Sequence, residues 1–163
     1  MDVVLFVGSA SDLEVVKEAR EIFRAFEISF VVEVTSAHRS PERTTALVRK
    51  YEAEGAAVFI AAAGKAAHLA GAVAAQTIRP VIGVPVESGG LGGLDALLST
   101  VQMPKGVPVA TMGTGKAGAA NAALLAVQIL SLGRPDLRER LLESKRKMAA
   151  QVGADAEKAR STA

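Results

Sequence analysis

Five apolar runs of strand length alternate with helical patterns along this chain, and that alternation limits the fold more than any other feature. Val3-Val4-Leu5-Phe6-Val7 is continuous apolar sequence stopped by Gly8, as in a parallel strand covered on both faces. Comparable runs fall at about 29–34, 56–61, 80–84 and 106–111. Pro108 suits the last of these to a sheet edge or a strand start. Helices are predicted between them, at about 12–26, 41–53, up to Thr77, 95–101 and 117–132. In the first, Val15, Val16, Ala19, Ile22, Phe23 and Phe26 recur at helical spacing, and Ser11 with Glu14 has capping-box spacing. Ser40 and Pro41 read as the N-cap and first residue of the second. The pattern predicts a three-layer α/β/α domain on a five-stranded parallel sheet with right-handed crossovers.

Gly133-Arg134-Pro135 interrupts the long helix. A final amphipathic helix is predicted from Leu137 to about Gln151, with residues 154–163 frayed. Its apolar residues Leu137, Leu141, Leu142 and Met148 need a cover, which a neighbouring subunit can supply. Residues 1–133 are therefore expected to form the α/β catalytic part, and 134–163 an appended helix and tail, within a single domain overall.

Composition narrows the chemistry. Half of the 163 residues are hydrophobic but only 4% are aromatic, with no Trp and one Tyr, so Val, Ile, Leu and Ala must build the core. The absence of cysteine excludes disulfides, zinc–thiolate sites and cysteine nucleophiles, and fits a reducing compartment. The net charge of +2 comes from residues 134–163, which hold eight basic and five acidic side chains. No five-residue block of like charge supports nucleic-acid binding. The first residues do not read as a secretion signal, and the longest apolar runs are Ala-rich with Gly, Asn and Gln, as in buried helices rather than membrane spans.

Chemistry is expected where strands give way to helices. Gly8-Ser9-Ala10-Ser11-Asp12 brings two hydroxyls and helix N-terminal amides to the end of the first strand, which suits a phosphate. Asp12 can accept hydrogen bonds from ribose hydroxyls, although Ser11 and Asp12 could equally only cap the helix. Ser36-Ala37-His38-Arg39 follows the second strand; arginine can fork onto phosphate, and histidine exchanges protons near neutral pH. Gly64-Lys65-Ala66-Ala67-His68-Leu69 adds small residues that admit a ligand and the second of the chain's two histidines. Two histidines without clustered carboxylates make no convincing metal site. Ser88 to Gly93 is a candidate lid.

Together these stretches resemble the class I N5-carboxyaminoimidazole ribonucleotide mutases of bacterial purine synthesis. The match also includes Gly83-Val84-Pro85-Val86, Val101-Gln102-Met103-Pro104 and Gly115 to Leu124, all in family order. The resemblance implies a flavodoxin-like sheet and a cytoplasmic homo-octamer whose sites are completed by neighbouring subunits. It implies a small ribonucleotide substrate, no cofactor or metal, and neither a nucleic-acid nor a membrane partner. By that correspondence His38 is the acid/base residue, Ser9, Ser11 and Asp12 lie at the ribose phosphate, and Arg39 contacts phosphate. Ser36, Ala37 and the loop of Gly64, Lys65, Ala66, Ala67, His68 and Leu69 would surround the carboxylate. The family usually has glycine where this chain has Lys65. Relatives that carboxylate aminoimidazole ribonucleotide directly carry a basic residue there, so direct carboxylation is the rival activity. A flavodoxin-like binding module without catalysis is the rival of a different kind.

Overall fold

The computed structural model describes residues 1–161. Five strands form one parallel sheet: β1 (Val3–Val7), β2 (Phe30–Val34), β3 (Val58–Gly64), β4 (Val81–Val86) and β5 (Ala110–Thr111). The spatial order is β2-β1-β3-β4-β5, with every neighbouring pair parallel. This is the flavodoxin-like order, in which the chain reverses its direction of travel between β1 and β3. Among the described residues six α-helices connect or follow the strands: α1 (Lys17–Ala25), α2 (Pro41–Ala53), α3 (Leu69–Ala74), α4 (Leu94–Val101), α5 (Gly115–Ser131) and α6 (Pro135–Ser161). Met1–Val127 form one compact unit, and a second begins at Gln128, within α5.

All five residues of β1 are fully buried, so both faces of the sheet are covered at that strand. On one face Val4, Phe6, Phe59 and Ala61 cluster with Leu47, Val48 and Tyr51 of α2 and Leu69 and Val73 of α3. The Phe6 and Phe59 rings stack there at 5.9 Å. Thr44, Leu47, Val48 and Tyr51 are the buried residues of α2, spaced as one helical stripe. In α5 the stripe is Ala119, Ala122, Ala123 and Ala126, side chains small enough for close approach. β2 is an edge strand and only half buried.

Several boundaries differ from the sequence reading. Ala10–Glu14 is a 3₁₀ turn, and α1 starts only at Lys17. The expected capping box does not form, because the Ser11 hydroxyl bonds to Ser9 and Asp12 instead of backbone amides. β3 continues to Gly64, three residues beyond the predicted strand. β4 likewise takes in Pro85 and Val86, two residues beyond the predicted run. Pro85 is tolerated because β5 pairs only with Ile82 and Gly83, leaving Pro85 past its end. β5 itself shrinks to two residues, since Pro108 lacks an amide and Gly106 holds φ 99°.

In the second unit, α6 runs on to Ser161, through residues expected to fray; residues 162 and 163 lie outside the described ones. After Gly153 the sequence Ala154-Asp155-Ala156-Glu157-Lys158-Ala159-Arg160 holds mostly strong helix formers and no proline, so nothing stops the helix. Leu137 is buried, whereas Leu142, Met148 and Val152 are exposed. No helix among the described residues is long and apolar enough to cross a membrane.

Polar contacts tie α2 to the edge strand. Tyr51 donates its phenol hydrogen to Glu33 at 2.6 Å, and Arg43 holds the same carboxylate at 2.9 Å. The Glu33 hydrogen bond, burial and the nearby negative charge push the phenol up to about 12. The unfolded phenol ionises near pH 10, so this stabilisation is complete below about pH 10 and is lost as pH rises towards 12. Tyr51→Phe is expected to lower stability by about 1 kcal/mol at pH 7. It should also flatten the fall in stability between pH 10 and 12, as read by urea denaturation across that range.

Candidate active site

Three loops converge at the carboxyl ends of β1, β2 and β3, beside the point where strand order reverses. The backbone ladder runs up to the loops: Gly8 donates to the Ala62 carbonyl and Thr35 to the Val7 carbonyl, both at 3.0 Å. Above these strand ends lies a recess of about 520 Å³, large enough for a small phosphorylated metabolite.

The turn after β2 is closed on itself. The Ser40 amide donates to the Ser36 carbonyl at 2.9 Å, and the Ser36 amide donates to the Ser40 hydroxyl at 3.1 Å. The Arg39 amide donates to the Ser36 hydroxyl at 3.2 Å. Ser40 is thus the N-cap of α2 by position, but its side chain serves the turn and not the helix amides. Below it, the buried hydroxyls of Thr35 and Thr44 meet at 2.8 Å and fix the turn to α2. Such closure holds His38 and Arg39 in place before any ligand arrives.

His38 and His68 meet in this recess. Nε2 of the first and Nδ1 of the second are 2.7 Å apart, with the rings edge to face at 79°. That distance accommodates one hydrogen between the two nitrogens, so one ring donates and the other accepts. Arg39 donates from its guanidinium to the Gly8 carbonyl at 3.2 Å, which swings it over the end of β1. The Ser9 hydroxyl lies 2.5 Å from that of Ser11 and donates to the largely buried Asp12 carboxylate at 3.1 Å. The region therefore presents hydroxyls, one carboxylate, a guanidinium and a pair of imidazoles. Among the described residues no three His, Cys, Asp or Glu side chains group as metal ligands would.

The recess brings together Ser9, Ser11, Asp12, Ser36, Ala37, His38, Arg39, Gly64, Lys65, Ala66, His68 and Leu69. Ala67 is the exception: it is buried and does not line the recess, since it turns inward between two exposed neighbours. Gly8, Ala63 and Ser88 also line it without having been singled out as site residues. Ala63 is present because β3 runs further than its sequence suggests. Ser88 could have been found from its place at the start of the glycine-rich loop. Gly64 and Ser88 are in fact so close that a Cβ on Gly64 would overlap the Ser88 hydroxyl and lie 2.8 Å from the Val86 carbonyl.

Lys65 holds φ 55°, a left-handed backbone that disfavours any side chain. Lys65→Gly is accordingly expected to raise stability by about 1 kcal/mol, read by thermal or urea unfolding.

The chain's sequence matches the model of the AIR carboxylase family over residues 2–151. The chain belongs to the AIR carboxylase family. Among relatives in that family, the N5-carboxyaminoimidazole ribonucleotide mutase of Pyrococcus abyssi is 53% identical over 137 residues, covering 84% of this chain and 78% of that one. The mutase of Methanocaldococcus jannaschii is 47% identical over 156 residues, covering 96% of each. A crystal structure of Treponema denticola PurE superposes with a TM-score of 0.87 at 26% identity, over 96% of each chain. The flavodoxin-like fold is thus shared with that solved structure.

Proposed function

We propose that this chain is an N5-carboxyaminoimidazole ribonucleotide mutase of purine biosynthesis, acting in the cytoplasm, with His38 as its acid/base residue. The observation that carries this reading is the His38–His68 contact, in a recess that also presents Arg39 and the Ser9–Asp12 turn. Relatives near 50% identity that bear the mutase name support the substrate.

The chemistry suits these groups. Protonated His38 gives its proton to the exocyclic nitrogen of the carbamate. The carbon–nitrogen bond then breaks, leaving a neutral amine and carbon dioxide. The electron-rich C4 attacks that carbon dioxide, forming the new carbon–carbon bond and leaving C4 with both hydrogen and carboxylate. His38, now neutral, removes the C4 hydrogen and restores the aromatic ring. The imidazole ends as it began, and the net change is an isomerisation. One residue serves both steps because histidine gives and takes protons near neutral pH. His68, in contact with His38, orients the ring through the shared hydrogen.

In this reading Arg39 binds the phosphate through the charge-assisted hydrogen bonds of its guanidinium. Arg39→Ala should weaken ribonucleotide binding roughly tenfold or more and change turnover at saturation far less. An unchanged affinity would remove Arg39 from the phosphate site.

We also propose that the protein assembles as a homo-oligomer, an octamer by family resemblance. Leu94, Leu98 and Val101 of α4 are about half exposed, an apolar stripe that suits a subunit contact. Size-exclusion chromatography with light scattering reads the assembly directly.

The activity is tested by offering the carbamate ribonucleotide without bicarbonate, and aminoimidazole ribonucleotide with it. Turnover of the first at low enzyme concentration is expected. Turnover of the second alone would assign the chain to direct carboxylation instead.

A further inference from the structure

Lys116 stands outside the recess and has no part in the chemistry above. It is the second residue of α5, whose first turn holds no acidic residue. The helix dipole disfavours a cation there, so the position asks for another reason. The chain at that point is folded tightly, since a Cβ on Gly118 would overlap the Gly113 carbonyl. From this fixed root the ammonium reaches Glu14, 102 residues earlier in the sequence, at 3.1 Å. The Lys116 hydrogen bond and charge, with the charge of Lys17, hold the Glu14 carboxyl below the usual carboxylate range. Glu14 is therefore ionised at neutral pH.

Glu14 closes the 3₁₀ turn Ala10–Glu14, whose Ser11 and Asp12 line the recess. The start of this turn is anchored through Gly8, which donates to the Ala62 carbonyl and accepts from Arg39. The hydrogen bonds of Ser9, Ser11 and Asp12 stay within residues 9–15. The far end is tied to another element by the Glu14–Lys116 pair. Both side chains are more than half exposed, so the pair adds little to folding. Its effect falls on where the turn sits. Neither residue lines the recess, so each acts through the serines and Asp12.

We propose that Glu14 and Lys116 are positioning residues, whose ion pair pins the turn after β1 to the start of α5 and so presets the phosphate end of the recess. This rests on the function proposed above. A turn already in place binds its ligand without first being ordered.

Steady-state rates with the carbamate ribonucleotide test this in the wild type, Lys116→Met, Glu14→Ala and the double charge swap Glu14→Lys with Lys116→Glu. Each single variant is expected to raise KM roughly two- to fivefold, the range an exposed ion pair supports, and to leave kcat within about twofold. The swap restores the pair with its charges exchanged, so its KM should return to within about twofold of wild type. Glu14→Ala carries the decision. If Lys116 acted only through its field on the phosphate, removing the Glu14 charge would lower KM. A lowered or unchanged KM in Glu14→Ala, or a swap no better than the single variants, would overturn the proposal. Equal falls in kcat and kcat/KM would also overturn it, by placing the pair's effect on the chemical step. A wild type that does not turn over the carbamate ribonucleotide would overturn the proposed function itself, and this inference with it.

Discussion

His38→Asn is expected to fold, to bind the ribonucleotide near wild-type affinity, and to lose turnover by roughly 100- to 10,000-fold. Asparagine can donate or accept a hydrogen bond in much the same place but cannot carry a proton between two atoms of a substrate. The turn that presents position 38 is held by the Ser36–Ser40 hydrogen bonds and the Thr35–Thr44 pair, none of which uses the imidazole. Folding should therefore be spared. His38 is exposed in the single chain, so no core packing is lost either. Steady-state rates with the carbamate ribonucleotide, beside circular dichroism and nucleotide binding, separate the three properties. A variant that binds and folds but turns over normally would remove His38 from both proton steps. A variant that no longer binds would instead make it a binding residue.

Phe59→Ala is expected to be the most damaging change to the scaffold, costing about 3–5 kcal/mol. Phe59 is fully buried in β3 and stacks on Phe6 of β1. Its loss opens a cavity between the two strands whose ends carry the Ser9 and His68 loops. A typical domain is stable by only about 5–15 kcal/mol, so the variant should be marginal at physiological temperature. Urea denaturation of wild type and variant measures the difference. A loss below about 1 kcal/mol would mean that the cluster around Phe6 and Phe59 collapses to fill the space.

The parts of the fold most legible in the sequence were those with a local physical cause. β1 could be read from five apolar residues ending at Gly8, and α2 from Ser40-Pro41 followed by a helical stripe. The end of β3 could not, because Ala62-Ala63-Gly64 looks like a small-residue loop. Gly64 has no room for a side chain, since a Cβ there would meet the Ser88 hydroxyl and the Val86 carbonyl. The start of α1 was misplaced because hydroxyls after β1 bond to one another instead of capping the helix. In the site, each loop was legible alone by its residue types. That His38 and His68 touch was not, since their contact depends on β1 lying between β2 and β3, and no local pattern encodes strand order. Ala67 was included by its neighbours, but backbone direction turns it into the core.

Isotope tracing tests most directly whether the carboxyl group moves within one recess. The carbamate ribonucleotide, carrying carbon at natural abundance, is turned over in buffer containing ¹³C-bicarbonate and carbonic anhydrase. The expected product carries an unlabelled carboxylate, because released carbon dioxide is captured by C4 before it leaves. A product carboxylate labelled to the level of the buffer would contradict the account.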